Sequence, residues 1–362
     1  MKTVASPSTN ILNADLDELL DIAPSPWEKL RGARIFLTGG TGLFGRWMLE
    51  SLLWANDRLA LKTSVTVLAR DPKRWQQTAP HLAGHPAVDI CRGDILRSTL
   101  PNEKFSHVLH MAAPSGPDQA ADPLKLFNVL IHGTERVLDL AVRSGAGRFL
   151  YVSSGAVYGR HAKAMSVVEE NCREAPDQMD PASCYDEGKR AAELLCALYW
   201  QQKQLPCVVA RCFSVLGPFL PLDWHYAAGN FIRDALAGGP IKVNGDGTPE
   251  RSYLYLADLA WWLWVILVHG QPGRAYNAGS DEAVSIAELA RRTAACFTPP
   301  LPIHVARAAE AGRTPQRQVP CIRKAGEKLG LYARVRLDEA LRRTLAWHNL
   351  VNLTKSSRSY SG

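Results

Sequence analysis

Tyr185 and Lys189 stand four residues apart in Tyr185-Asp186-Glu187-Gly188-Lys189-Arg190, a run that opens a helix continuing as Ala191-Ala192-Glu193-Leu194-Leu195. On a helix that spacing puts both side chains on one face. A free tyrosine ionises at about pH 10 and is no base near neutrality. A neighbouring ammonium group and a cationic ligand both favour the phenolate, and the expectation is a lowered pKa. Such a pair fits proton abstraction from a hydroxyl group. Upstream, Ser153-Ser154 closes an apolar run and offers a hydroxyl to hold the oxygen that loses its proton. An isolated Tyr-x-x-x-Lys is an ordinary helix surface pair, so its meaning depends on the elements around it.

Those elements begin with Arg34-Ile35-Phe36-Leu37-Thr38, an apolar strand, followed by the turn Gly39-Gly40-Thr41-Gly42-Leu43-Phe44-Gly45 and a helix start at Arg46-Trp47-Met48. A strand, a glycine turn and a helix make a phosphate cradle. The glycines let the backbone approach a pyrophosphate, and the helix N-terminus turns its unpaired N–H groups towards the charge. The spacing Gly39-x-x-Gly42-x-x-Gly45 differs from the G-x-G-x-x-G dinucleotide fingerprint. Further strands are predicted over 64–69, 88–91, 106–111 and 148–153, with a helix over 123–144. Apolar strands alternating with amphipathic helices indicate an α/β chain with a Rossmann-like doubly wound parallel sheet, whose ligands sit beyond the carboxyl ends of the strands. The second strand ends in Ala69, followed by Arg70 and Asp71. An acid there pairs with the adenosine 2′-hydroxyl and an arginine can bind a 2′-phosphate. Arg70 favours NADP, and Asp71 keeps NAD open.

The organisation expected is an N-terminal extension over 1–31, a cofactor-binding domain over 32–214 and 253–280, a smaller mixed substrate-binding domain over 215–252 and 281–350, and a tail over 351–362. Within the extension, Asn13 is read as the cap of a short helix through Ile22, stopped by Pro24, with Leu16, Leu19 and Leu20 docking on the main body. The net charge of +7 comes from scattered basic residues, which favours a small anionic ligand over nucleic acid. Eight cysteines without a C-x-x-C pair suggest reduced thiols, no metal and a cytoplasmic protein. The apolar run 259–268 is too short to span a bilayer and reads as a buried helix or a dimer face.

Taken as an ordered set, these features resemble the extended short-chain dehydrogenase/reductases of the nucleotide-sugar epimerase/dehydratase family. The motifs that carry the resemblance are Thr38 to Gly45, Gly93-Asp94-Ile95, His110-Met111-Ala112-Ala113, Ser153-Ser154-Gly155-Ala156-Val157-Tyr158-Gly159, Tyr185-x-x-x-Lys189, Ala210-Arg211-Cys212-Phe213-Ser214 and Arg251-Ser252-Tyr253. The resemblance implies that Ser154, Tyr185 and Lys189 are catalytic. It implies that Gly39, Thr41, Gly42, Leu43, Phe44 and Gly45 hold the pyrophosphate of NAD(P), with Arg70, Asp94, Ile95, Ala112 and Ala113 around the rest of the cofactor. Ser154, Asn230, Phe231, Arg251 and Arg317 would meet a nucleotide-diphosphate sugar, and a homodimer paired through the helices after the fourth and fifth strands would be usual.

Departures from the family pattern bear on the reaction. Dehydratases carry an Asp-Glu pair where this chain has Gly155-Ala156, and decarboxylases share Tyr-Asp-Glu-Gly-Lys-Arg but carry a glutamate at the position of Ala156. Ser214 stands where the family has an asparagine, and so does Leu130 unless Asn128 substitutes through a shifted turn. The leading expectation is an epimerase that transiently oxidises a sugar hydroxyl, most simply at carbon four, because this needs no acid at 155 or 156. The alternatives are an NADPH-dependent keto-sugar reductase, or a dehydratase or decarboxylase with a substitute group such as Asp223 or His225. Outside enzymes, a cofactor-sensing binding protein would keep the fold without turnover.

Overall fold

The computed structural model describes residues 7–23, 25–114, 122–159, 167–224, 226–310, 312 and 315–359. Seven strands form one parallel sheet: β1 (Arg34–Thr38), β2 (Ser64–Ala69), β3 (Val88–Arg92), β4 (His107–His110), β5 (Arg148–Ser154), β6 (Cys207–Cys212) and β7 (Arg274–Ala278). Their order across the sheet is β7-β6-β5-β4-β1-β2-β3. The chain winds outwards through β2 and β3, then restarts beside β1 with β4 and winds the other way. The topological switch point therefore lies between the carboxyl ends of β1 and β4, where Thr38 pairs in register with His110. Central strands of such a sheet are covered on both faces, which accounts for the apolar runs of β1 and β5.

The helices that matter for the site are α1 (Pro7–Glu18), α2 (Leu43–Leu59), α3 (Pro123–Asn128), α4 (Thr134–Ser144), α5 (Cys184–Lys203), α6 (Ala227–Leu236), α7 (Leu256–His269) and α8 (Leu337–Ser359). The helix expected over 123–144 is interrupted by a π-helical turn, Val129–Gly133, between α3 and α4. Such turns often mark functional positions. Helix α7 is buried from Leu256 to Val268. Its Trp264 Nε1 donates to Ser51 Oγ on α2 at 2.9 Å. It is a core element and not a face offered to a second chain. Among the described residues no helix is long and apolar enough to cross a membrane.

The N-terminal extension departs from expectation. Helix α1 starts at Pro7, so Asn13 lies inside it and caps nothing; a proline at the first helical position already has the fixed φ that a helix start needs. Pro24, read as the stop of that helix, lies outside the described residues. Leu16 and Leu19 are buried and Leu20 packs against the same core, as the docking reading requires. Asp15 is also buried, accepting from Tyr255 Oη and Arg343 Nη1, each at 2.6 Å, and so ties the extension to α8.

Candidate active site

Strand pleating decides which of the two serines faces the site. Successive side chains of a strand point to opposite sides. Ser153 is buried and donates to Glu193 Oε1 at 2.5 Å. Ser154, one residue beyond the expected strand end, projects the other way. Its Oγ accepts from Ala156 N–H at 3.1 Å and is hydrogen-bonded to Tyr185. Helix α5 is started by the short turn Pro181–Ser183, itself capped by Asp180, which accepts from Ala182 N–H at 2.9 Å. One turn into α5, Lys189 is only 3% exposed; its Nζ donates to Val152 O at 2.7 Å and lies 5.9 Å from the centre of the Tyr185 ring. The structure thus brings Ser154, Tyr185 and Lys189 together.

The protein's own groups do not by themselves produce one expected effect. Burial raises the pKa of Tyr185 above its ordinary value, against the hydrogen bond from Ser154, so the lowered tyrosine pKa is not found. The Lys189 ammonium is turned to a backbone carbonyl, and burial lowers its own pKa to about 8. Both groups are held away from the charged forms they would use, which is common at sites built to receive a charged ligand.

The glycine turn fits a dinucleotide diphosphate. Gly39 has φ +76°, and a Cβ there would lie 2.7 Å from the Met111 carbonyl carbon. A Cβ on Gly45 would lie 2.2 Å from Gly39 O, so the third glycine is required for the helix to close on the turn. Gly42 is the N-cap of α2 and offers no capping side chain, which leaves the first N–H groups, with those of Leu43 and Phe44, to a ligand. Thr41 and Gly42 are exposed at its rim. At the next strand ends, Asp94 Oδ1 accepts from Leu96 N–H at 2.9 Å, Ile95 is buried, and Ala112 and Ala113 are half-buried. Arg70 is exposed, whereas Asp71 caps the helix Pro72–Thr78 by accepting from Arg74 N–H at 3.0 Å.

Sequence reading missed the chain of hydrogen bonds that holds this edge together. His110 is buried, with Nδ1 2.7 Å from Thr38 Oγ1 and Nε2 3.0 Å from Thr134 Oγ1. Thr134 gives its own proton to Leu130 O at 2.5 Å, so it must accept from His110 Nε2–H. That leaves Nδ1 as the acceptor from Thr38 Oγ1–H. Thr38 Oγ1 in turn accepts from Ala112 N–H at 3.3 Å. Burial and the nearby Lys189 charge hold the His110 pKa down to about 3, so the ring is neutral and its tautomer fixed. The chain joins the glycine turn, the end of β4 and the π turn. Its signal in the sequence is the histidine before Met111-Ala112-Ala113.

Arg251 and Arg317, expected to meet the substrate, lie on neighbouring strands, Glu250–Arg251 and Arg317–Gln318, paired in parallel. Arg317 forms an ion pair with Glu250, and Arg251 Nη2 donates to Gln316 Oε1 at 2.9 Å. Asn230 and Phe231 lie within α6. Asn230 Oδ1 accepts from Arg233 at 3.2 Å, while Phe231 is buried in the core, so any contact it makes with a ligand falls to its backbone. Asp223 is exposed and 3.8 Å from Arg233; His225 lies outside the described residues. A cavity of about 350 Å³ beside β7, lined by Glu170, Glu193, Cys196, Arg211 and Lys324, contains none of the expected site residues.

The comparisons with known proteins agree with this geometry. The sequence pattern of the NAD dependent epimerase/dehydratase family matches residues 35–279. UDP-glucuronic acid decarboxylase 1 of Xenopus tropicalis is 31% identical over 313 residues, 86% of this chain and 71% of the relative. An epimerase from Methanothermobacter thermautotrophicus shares the fold at TM-score 0.73 and 23% identity, over 97% of this chain and 99% of that one. The dTDP-glucose 4,6-dehydratase of Bacillus anthracis, solved with NAD, does so at TM-score 0.70 and 18% identity, over 87% and 96%. With its glycine cradle at the switch point and Ser154, Tyr185 and Lys189 assembled beside it, the chain belongs to the NAD-dependent epimerase/dehydratase family of enzymes.

Proposed function

We propose that this enzyme epimerises a nucleotide-diphosphate sugar by oxidising one of its hydroxyls, at carbon four, and reducing the ketone from the other face. The observation that carries the reading is the strand end beside Ser154. Gly155 has no side chain, and a Cβ there would lie 2.7 Å from the Phe213 ring, so position 155 has no room for a carboxylate. Ala156 supplies only a methyl group. Eliminating water across neighbouring carbons needs a base and an acid there, and neither residue provides one. The nicotinamide cofactor supplies a reversible hydride acceptor, and its positive charge favours the Tyr185 phenolate that burial opposes. Tyr185 takes the hydroxyl proton while Ser154 holds the same oxygen by a hydrogen bond. Lys189 keeps a positive charge beneath both. After the ketone has turned over, the same groups return the proton. The exposed Arg70, with Asp71 committed to a helix cap, supports NADP as the preferred form.

A second reading has its own support. The decarboxylase relative, together with the shared Tyr185-Asp186-Glu187-Gly188-Lys189-Arg190 run, favours a uronic acid substrate. Oxidation at carbon four of a uronic acid makes a β-keto acid. Its carbon–carboxylate bond breaks with the electrons entering the ketone as an enolate, a step that needs no carboxylate at 155 or 156. Incubating the purified protein with nucleotide sugars and NAD or NADP separates the readings by product mass. An isomer at unchanged mass supports epimerisation, loss of carbon dioxide replaces it with decarboxylation, and loss of water refutes both.

Exposed Leu124 and Phe127 on α3 and Leu194 and Leu198 on α5 support a homodimer paired through these helices. A monomeric mass by light scattering would exclude it.

A further inference from the structure

We propose that Arg46 is a second phosphate-binding group of the glycine turn, its guanidinium fork taking the diphosphate of the dinucleotide cofactor. Arg46 immediately follows Gly45, and its N–H donates to Gly42 O at 2.8 Å, which closes the first turn of α2. The side chain is 26% exposed and is held from one side only. Its Nε reaches Glu50 Oε1 at 3.4 Å, but that oxygen is taken more closely by His81 Nε2 at 2.9 Å. The two terminal nitrogens of Arg46 bond to no described residue.

What fixes the guanidinium is an aromatic platform. Its central carbon lies 3.5 Å from the centre of the Phe219 ring, and Trp347 of α8 meets that ring edge-on at 4.7 Å. Stacking uses the face of a guanidinium and leaves its in-plane N–H donors pointing outwards, the geometry that grips a phosphate bidentately. The platform is held at a local cost, because Phe219 adopts φ +69°, a left-handed conformation uncommon for a bulky residue. The loop carrying it is pinned where Trp47 Nε1 donates to Pro218 O at 3.1 Å. This loop follows the strand Ser214–Leu216 and reaches the first turn of α2 at the ligand edge of the sheet. A strained aromatic, a stacked cation and a free donor fork therefore meet at the helix end that the glycines open to a diphosphate.

Two diphosphates could meet such a fork, the cofactor's and the sugar nucleotide's. Arg46 adjoins the cofactor turn, whereas the substrate side already has Arg251 and Arg317 on adjacent strands. The cofactor's is therefore assigned. The test is calorimetric titration of the full chain and of Arg46→Met with NAD and, separately, with UDP. The expected result is NAD binding weakened about tenfold, equivalent to about 1.4 kcal/mol, with UDP binding unchanged. Unchanged NAD affinity in a variant that melts like the parent would overturn the proposal, as would weakened UDP binding alone. Should Arg46→Met fail to fold, Arg46→Lys carries the same test, since it keeps the charge but lacks the fork. Severalfold weaker NAD binding is expected, and NAD affinity within twofold of the parent overturns the assignment.

Discussion

Helix α5 serves two polar clusters, one turn apart, and they are built on opposite principles. Around Tyr185 and Lys189 no counter-charge is in contact among the described residues: there the ammonium has only a carbonyl and aromatic faces, and burial pushes both pKa values against ionisation. Four residues on, Glu193 is paired bidentately with Arg211, at 3.0 Å to Nε and 2.6 Å to Nη2, and also accepts from Ser153. Arg211 goes on to Tyr158 Oη at 2.8 Å, and Tyr158 to Asn277 Oδ1 at 2.6 Å. This second cluster ties α5, β5, β6 and β7 together, while the first has been left short of partners. Buried charges without partners cost stability and are kept where a ligand or a reaction supplies what is missing. The difference is the one expected if, as proposed, the first cluster does the chemistry and the second frames it.

The sharpest way to break this contrast is Tyr185→Phe. A working tyrosine predicts a fall in kcat of about 10²–10⁴-fold, with NAD binding and melting temperature retained; unchanged turnover would remove Tyr185 from the mechanism. Arg211→Met tests the frame. Leaving the part-buried Glu193 without its partner should cost about 1–3 kcal/mol, read as a lowered denaturant midpoint. A variant as stable as the parent would show that the pair frames nothing.

Lys189→Met should separate the clusters by sign. It should lower kcat, yet raise the stability of the cofactor-free protein by about 1 kcal/mol or more, because an unpaired buried charge is replaced by an apolar side chain. The pH dependence follows. The folded pKa is about 8 and the ordinary value 10.5, so between them the unfolded chain holds a proton that the folded chain has released. Stability owed to Lys189 therefore rises with pH across that window and is flat below it. Chemical denaturation from pH 7.5 to 10 should show this slope in the parent and lose it in the variant; a slope that survives contradicts the shift. The smallest effect is expected at Arg70, where Arg70→Ala should weaken NADP severalfold and leave NAD unchanged. Equal losses for both would end its role as the 2′-phosphate reader.

Much of the frame was legible because it is local. The apolar runs of β1, β2 and β5 and the glycine turn have signals that reside in neighbouring residues. The four-residue spacing of Tyr185 and Lys189 likewise survives any tertiary arrangement, because a helix fixes it. Asn13 misled because α1 began six residues earlier, at a proline whose preference for the first turn competed with the cap signal. Phe231 could not be read as core from its position in a motif, since burial depends on what α6 packs against.

By itself, then, the sequence determined the winding of the sheet, the position of the glycine turn and the residue types proposed to react, all of which follow from periodicity and short-range geometry. Only the tertiary structure decided that Ser154 and not Ser153 meets Tyr185, that His110 is neutral with its proton on Nε2, and that burial raises the tyrosine's pKa. It also decided that Arg46 lies stacked on Phe219, its terminal nitrogens bonded to no described residue. Each of these depends on groups brought together from distant parts of the chain, and on the water they exclude, which no local pattern records.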